Sequence, residues 1–254
     1  MANNESWIKI FNDYNIDKHD FEKDGPFKIT AGDIKSSCQN FTSTAQKEVR
    51  ILCKQDSRTD RPSNFIDKGL FILPIVNGQY IIIKGEGYID IPEITTGLIN
   101  YNSKLDFILD SSKVGNSEMQ HLDFAYASSL IRTFMDDKSL VLTIRGRKYT
   151  PEFSFNVGNN KVIVKSVQTE VDAGYEGRDK IVLVEAKNSK TTNTIIRQLF
   201  YPYKQWKQYT NKDIYLIFFE RRDAEFHIWQ YSFKNDYDYN SISLVKSERY
   251  LINT

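Results

Sequence analysis

The stretch "VQTEVDAGYEGRDKIVLVEAKN", Val167 to Asn188, puts charge at the ends of two apolar runs. Ile181-Val182-Leu183-Val184 leads straight into Glu185, Ala186 and Lys187, and the run before it carries Glu170 and Asp172. Burying charge is costly unless it is paired, hydrogen-bonded or bound to metal. Residues two apart in a strand share a face, so Glu185 and Lys187 point one way, as do Gln168, Glu170 and Asp172. A short loop over Ala173 to Lys180 would let the two strands pair and bring Asp172 to Glu185 and Lys187. That set suits metal-assisted hydrolysis of a phosphodiester. Two carboxylates hold a hard divalent cation such as Mg²⁺, and a lysine positions or deprotonates the attacking water. The competing reading is a solvated sheet edge with a surface salt bridge, worth little energetically. Two other acid-x-lysine triplets, starting at Asp33 and Asp136, fall in a predicted helix and a polar turn. Only the Glu185 triplet ends an apolar strand with an acid-bearing strand just before it.

The elements around this stretch follow from periodicity and punctuation. "ESWIKIFNDY" has a helical apolar stripe, "FKITAGDIKSSCQNF" reads as strand then short helix, and "EVRILCK" alternates like a strand. "LFILPIVNGQYIIIK" is a hairpin whose Asn77-Gly78 pair fits a type I′ turn. After "GEGYIDIPE" the glycine and proline punctuation fades, which sets a boundary between residues 93 and 117. "SEMQHLDFAYASSLIRTFM" predicts one helix with Leu122, Ala125, Tyr126, Leu130 and Phe134 on its apolar face. "SLVLTIRGR" is a strand, and "EFSFNV", "GNN" and "KVIVKSVQTEVD" make a hairpin. "KIVLVEAK" follows as a strand. "TTNTIIRQLFYPYKQWKQY" is a helix that Pro202 kinks or splits, with Ile195, Leu199 and Trp206 as its core side. "DIYLIFFE", "EFHIWQYSF" and "SISLVK" complete the strands.

"EVDAGYEGRDKIVLVEAK" resembles the active-site hairpin of the PD-(D/E)xK nuclease superfamily. The helix–strand–strand–strand–helix–strand order over residues 117–220 resembles that family's core. "TIRGRKY", "RQLFYPY" and the closing "SISLVKSERY" look like type II restriction endonucleases, as does "EVRILCKQDSRTDRPSNF" near the start. The resemblance implies an α/β fold: a restriction-endonuclease-like core, a mixed central sheet flanked by helices, over residues 111–254. A smaller N-terminal α/β region over residues 1–110 would take part in DNA recognition. It implies that Asp172 and Glu185 bind Mg²⁺ and that Lys187 acts at the attacking water. The literal "PD" is absent, because Val171 precedes Asp172. Many members carry a further acid on the helix before the core strands, matched by Glu118 or, second, Asp123. A glutamine on the following helix is matched by Gln198. Tyr201 lies on the same side, and Glu170 stays a rival for the fourth place in the site.

DNA contacts are expected from local clusters, since a net charge of +1 gives no bulk basic signature. Arg145, Arg147 and Lys148 end one strand, and Gly146 between them lets backbone approach a ligand. Arg197 and Lys204, with Lys207, lie on the later helix; Lys54, Arg58, Arg61 and Asn64 lie in a polar loop that suits base reading. His19, His121 and His227 are scattered without metal-ligand spacing, which speaks against zinc and HNH chemistry. No glycine-rich P-loop and no Ser/His constellation is present. Two cysteines, a polar start and apolar runs too short for a bilayer set the expectation of a cytoplasmic protein. The resulting expectation is a Mg²⁺-dependent, sequence-specific double-strand DNA endonuclease of a restriction–modification system. It would be a homodimer if its site is palindromic, with a separate cognate DNA methyltransferase. A structure-selective repair nuclease on the same core and a DNA-binding protein without chemistry are the alternatives.

Overall fold

The computed structural model describes residues 3–253. Helix α1 (Asn4–Asp13) forms where the apolar stripe predicts it and buries Trp7, Ile10 and Phe11. Strand β1 (Phe27–Thr30) runs into α2 (Ala31–Cys38), with Thr30 and Asp33 in a reciprocal capping box. The segment "EVRILCK" differs from its predicted strand. After α3 (Thr44–Lys47), Val49–Leu52 coil into a single turn, α4, with the Leu52 N–H donating to the Glu48 carbonyl. Leu52 is buried in the same cluster as Trp7, whose Nε1 donates to the Leu52 carbonyl at 3.0 Å. Tertiary packing here overrides a weak local strand preference.

After α5 (Ser63–Asp67), β2 (Leu70–Val76) and β3 (Gln79–Lys84) make the predicted hairpin, completing a sheet of order β1-β3-β2. The turn is not type I′, which needs positive φ at both central residues. Gly78 has a φ of 77°, Asn77 does not, and the register shifts between Pro74 and Val76. The apolar runs are continuous because both faces are covered. Leu70, Ile72 and Ile82 pack with α1 and α2, while Phe71, Leu73, Ile81 and Ile83 enter the core of the larger unit.

The rest builds one large mixed sheet flanked by helices. Its elements are β4 (Tyr88–Asp90), β5 (Ile99–Asn102), α6 (Glu118–Ala127), α7 (Leu130–Phe134), β6 (Val141–Tyr149), β7 (Phe153–Val157), β8 (Asn160–Val164), β9 (Gln168–Glu176), β10 (Lys180–Lys187), β11 (Asn193–Ile195), α8 (Arg197–Lys207), β12 (Asp213–Arg222), β13 (Glu225–Phe233) and β14 (Ile242–Asn253). The large sheet has the order β5-β14-β13-β12-β10-β9-β6. β9 pairs antiparallel with β6 on one side and β10 on the other, and β10 pairs parallel with β12 after crossing over through α8. Alternation sorts the central strands. Ile181, Leu183, Leu216 and Phe218 face α8, and Val182, Val184, Ala186, Ile217 and Phe219 face α6 and α7.

Several local departures have physical causes. The single helix expected over residues 117–135 is two, broken where Ser129 takes a left-handed φ of 64°. Hairpin β7–β8 forms its own two-stranded sheet, and β9 leaves it to pair with β6 and β10. Residues 173–176, expected in a loop, continue β9. The residues before α8 form β11, which pairs with β4. α8 then runs unbroken through Pro202. It is buried almost all round, because Phe153 and Phe155 of the β7–β8 hairpin pack against Tyr201 and Phe200 on the side away from the sheet. Strands β4 and β5 precede the boundary placed at residue 110, yet they pair with β11 and β14 beyond it. Their partners are distant in sequence, and no local pattern announces them. No described helix is long and apolar enough to cross a membrane.

Candidate functional site

The site lies where β9 and β10 part. Their pairing runs from Ile181↔Glu176 to Val184↔Ala173 and goes no further. The next N–H of β10 facing β9, that of Ala186, is taken instead by the Asp172 side chain, whose Oδ2 accepts it at 2.7 Å. Val171 and Ala173 fall into different core clusters although they are two apart, so the strand changes face at Asp172. A carboxylate thereby replaces a sheet hydrogen bond, and the two strand ends splay around it. Beyond that point Glu185 and Lys187, on one face of β10, form an ion pair.

These groups line one cleft of about 1200 Å³. Asp172, Glu185, Lys187, Glu118, Gln198 and Glu170 all reach it, so the residues matched from the sequence converge. Glu118 comes from the first turn of α6, whose Ser117 N-cap accepts from the Gln120 N–H. Asp123, its rival, is instead paired with Arg145. Gln198 comes from the first turn of α8, where the Thr194 hydroxyl donates to its Oε1 at 2.7 Å. Tyr201 lines the same cleft, but its hydroxyl donates to the Pro74 carbonyl, tying α8 to β2.

Burial dominates the electrostatics. It pushes the Glu185 carboxyl up to about 7 against the opposing pull of Lys187, with Asp172 adding repulsion. Burial likewise raises Asp172, partly offset by the Ala186 N–H and by Lys187. Glu118 is raised by burial, with the charge of Lys187 lowering it and that of Asp172 raising it. For Lys187, burial pulls the ammonium down, but Glu185, Asp172 and Glu118 outweigh it and the net shift is upward. One cation thus sits among three carboxyls that hold their protons more tightly than usual.

This has a measurable consequence for stability. A carboxyl with a raised folded pKa binds more protons folded than unfolded between the two values. For Glu185 the contribution is present below about 4.5 and is lost as pH rises through about 7. The Glu185→Gln chain has no such proton to lose. Its stability relative to the native chain should therefore rise from pH 4.5 to pH 8 by up to about 3 kcal/mol. Paired urea titrations across that range measure it, and a pH-independent difference would show that Glu185 titrates as it does unfolded.

The expected DNA contacts divide. Arg147 and Arg197 line the cleft. Arg147 pairs with Glu170 at 3.1 Å, both side chains more than half exposed, so the pair contributes about 0–1 kcal/mol and opens readily. Gly146 has a φ of 75° and open space where a Cβ would stand, next to a register irregularity in β6. Arg145 lies outside the cleft lining, paired with Asp123, and Lys148 is exposed but also outside it. Four of the residues expected at DNA have partners within the protein or buried polar atoms. Arg58 pairs with Asp90 and Glu86, and Arg61 donates to the Arg58 and Leu70 carbonyls and lies over the Tyr88 ring. The side-chain nitrogen and oxygen of Asn64 are both buried. Lys204 is buried because α8 is covered on its outer side, and its Nζ donates to the Asp236 carbonyl at 2.8 Å. Lys207 pairs with Asp236.

Part of the cleft lining comes from the N-terminal region. It includes Arg50 on α4, the Asn77–Gly78 turn, Lys54 and Asp56. Arg50 is exposed and makes no ion pair or hydrogen bond among the described residues. Asp56 was missed because the loop "KQDSR" was read for its cations alone; the acid between them was the available signal.

A family model described as a domain of unknown function (DUF6997) matches residues 83–251, and a second of the same description (DUF6996) matches residues 4–82. No curated protein and no solved structure matches the chain. Glu118, Glu170, Asp172, Glu185, Lys187 and Gln198 fall within the first match, and the N-terminal part of the lining falls within the second.

Proposed function

The chain belongs to the DUF6997 family, and for this member we propose a Mg²⁺-dependent, sequence-specific double-strand DNA endonuclease, a type II restriction enzyme of the PD-(D/E)xK pattern. The observation that carries this reading is the meeting of Asp172, Glu185 and Lys187 at the splayed ends of β9 and β10, inside one large cleft. The antiparallel run β6–β9–β10, followed by the α8 crossover to parallel β12, supports it.

Among the described residues no group of three or more His, Cys, Asp and Glu is arranged to hold a metal ion. Mg²⁺ does not require one, since it is usually bound by one or two carboxylates, waters and substrate phosphate. The donor set fits: hard oxygen ligands from Asp172 and Glu185, with Glu118 beside them, on carboxyls that burial holds toward neutrality. When bound, the ion would polarise the scissile phosphate and acidify a water. Lys187 stays charged, because its neighbours outweigh its burial, and it offsets negative charge growing on phosphorus while orienting the nucleophile. Gln198, its Oε1 held by Thr194, keeps its amide NH₂ for water or phosphate. Arg147 and Arg197 contact the backbone. A palindromic site would call for a homodimer, and restriction for a separate DNA methyltransferase.

The test is incubation of the purified chain with plasmid DNA and Mg²⁺, followed by sequencing of the ends. Discrete fragments sharing an end sequence are expected. Ends at random sequence, or cuts confined to flaps and junctions, would replace this reading with a structure-selective nuclease. Specific binding without any cleavage would replace it with a non-catalytic DNA-binding protein.

A further inference from the structure

We infer that the Asp56 carboxylate occupies the seat of a DNA backbone phosphate, held between Lys54 and Arg197, and leaves it when the duplex binds. The inference rests on the nuclease reading above. Asp56 stands between two cations in the cleft, each of its oxygens turned to one of them. Arg197 Nη2 lies 3.7 Å from Oδ1 and Lys54 Nζ lies 3.6 Å from Oδ2. Both separations exceed a hydrogen bond, so charge holds the arrangement and little geometry is lost on exchanging partners. Carboxylate and phosphodiester each offer a pair of anionic oxygens, and Arg recognises both with one fork.

The seat is built. The backbone around Asp56 is fastened to the element that leads into α8: the Ile195 N–H donates to the Asp56 carbonyl at 2.8 Å. On either side, the Tyr88 hydroxyl donates to the Gln55 carbonyl at 3.0 Å, and the Arg58 N–H donates to Asn193 Oδ1 at 2.7 Å. The Asp56 side chain is about one-fifth exposed, and Arg197 about one-quarter, while Lys54 is largely in solvent. The seat also adjoins the reacting groups. Asp56 lies close enough for its charge to act on Glu185, and Lys54 close enough to act on Glu118. A phosphate displacing Asp56 would take two cations that are already in place and free the acid to turn to solvent. Weak nonspecific ligands would have to compete with an internal anion, which favours partners that fill the rest of the cleft.

The experiment is a double-mutant cycle on duplex binding, read by fluorescence anisotropy without divalent metal across a salt series, beside cleavage of plasmid in Mg²⁺ by the native chain. Asp56→Asn should tighten duplex binding about 3- to 10-fold at low salt. Arg197→Gln and Lys54→Gln should each flatten the log K against log salt slope by about 0.9. The gain from Asp56→Asn should vanish in the Arg197→Gln background. A gain that survives there would reflect the general field of the cleft and overturn the proposal, as would no gain at all. Protection of Asp56→Asn against thermal unfolding by inorganic phosphate, with duplex affinity unchanged, would assign the seat to free phosphate and overturn it too. If Asp56→Asn fails to fold, the exposed Lys54→Gln variant decides through its slope. A native chain that cuts DNA while these variants behave alike defeats this inference alone; one that neither binds nor cuts duplex defeats the nuclease reading with it.

Discussion

On the proposed nuclease reading, replacing Lys187 by alanine should lower the plasmid cleavage rate by about 10³-fold, and Asp172→Asn should do the same. The two losses have different origins. Lys187 is the one cation paired with Glu185 at the end of β10, and its charge is sustained by three surrounding carboxyls. Without it the Glu185 carboxyl loses its main opposing charge and holds its proton still more tightly. In the proposed mechanism the variant would therefore lose both the group that faces the nucleophile and part of the negative charge in the donor set. Asp172→Asn keeps an oxygen that can accept from the Ala186 N–H, so the splay of β9 and β10 should persist. What it removes is the charge. Circular dichroism and a thermal melt establish that each variant is folded, and single-turnover cleavage measures the loss. Cleavage within tenfold of the native rate in either variant would move the active site elsewhere.

Phe200→Ala should destabilise the chain by about 3–5 kcal/mol. Phe200 is fully buried at the middle of α8. Its ring centroid lies 4.9 Å from that of Phe155, 4.8 Å from that of Phe233 and 5.3 Å from that of Tyr239, all in edge-on geometry. Such pairs contribute beyond the area they bury, by about 0.5–1.5 kcal/mol each. The pocket cannot collapse easily, because its walls belong to separate elements: the β7–β8 hairpin, the end of β13 and the segment before β14. Urea unfolding measures the loss, and a change under about 1 kcal/mol would mean that the hairpin does not hold α8 as described. The same helix carries Arg197 and Gln198, so activity should fall at temperatures where the variant is still mostly folded.

The site was legible where local alternation carried it. Asp172, Glu185 and Lys187 could be placed together because residues two apart in a strand share a face, and the intervening loop was short. Glu118 and Gln198 reach the cleft from helix first turns, where the sequence shows position but not approach. The cations that line the cleft were less legible, because a polar loop does not say which of its charges the fold will consume. Arg58 and Arg61 are spent on Asp90, Glu86, two carbonyls and the Tyr88 ring, while the Arg50 side chain, on a turn where the sequence predicts a strand, makes no ion pair among the described residues. Lys204 lies on the expected helix, but its partners come from a segment 32 residues later, where its Nζ donates to the Asp236 carbonyl and lies over the Tyr237 ring, and helical periodicity gives no sign of them. The pairings β4–β11 and β5–β14 join residues more than a hundred positions apart, and periodicity carries no record of a partner.

The hairpin β2–β3 gives one face to the N-terminal helices and the other to the core around α8. The seam between the two family segments therefore runs through packed side chains instead of a tether. Cutting the gene there would leave Phe71, Leu73 and Ile81 as an uncovered apolar surface on one product and a matching hole in the other. Recombination that exchanges recognition modules as cassettes finds no clean joint in such a chain. On the proposed reading, any specificity carried by the lining around Arg50 and Asn77 would have to change by substitution in place, one residue at a time, with the shared core constraining each step.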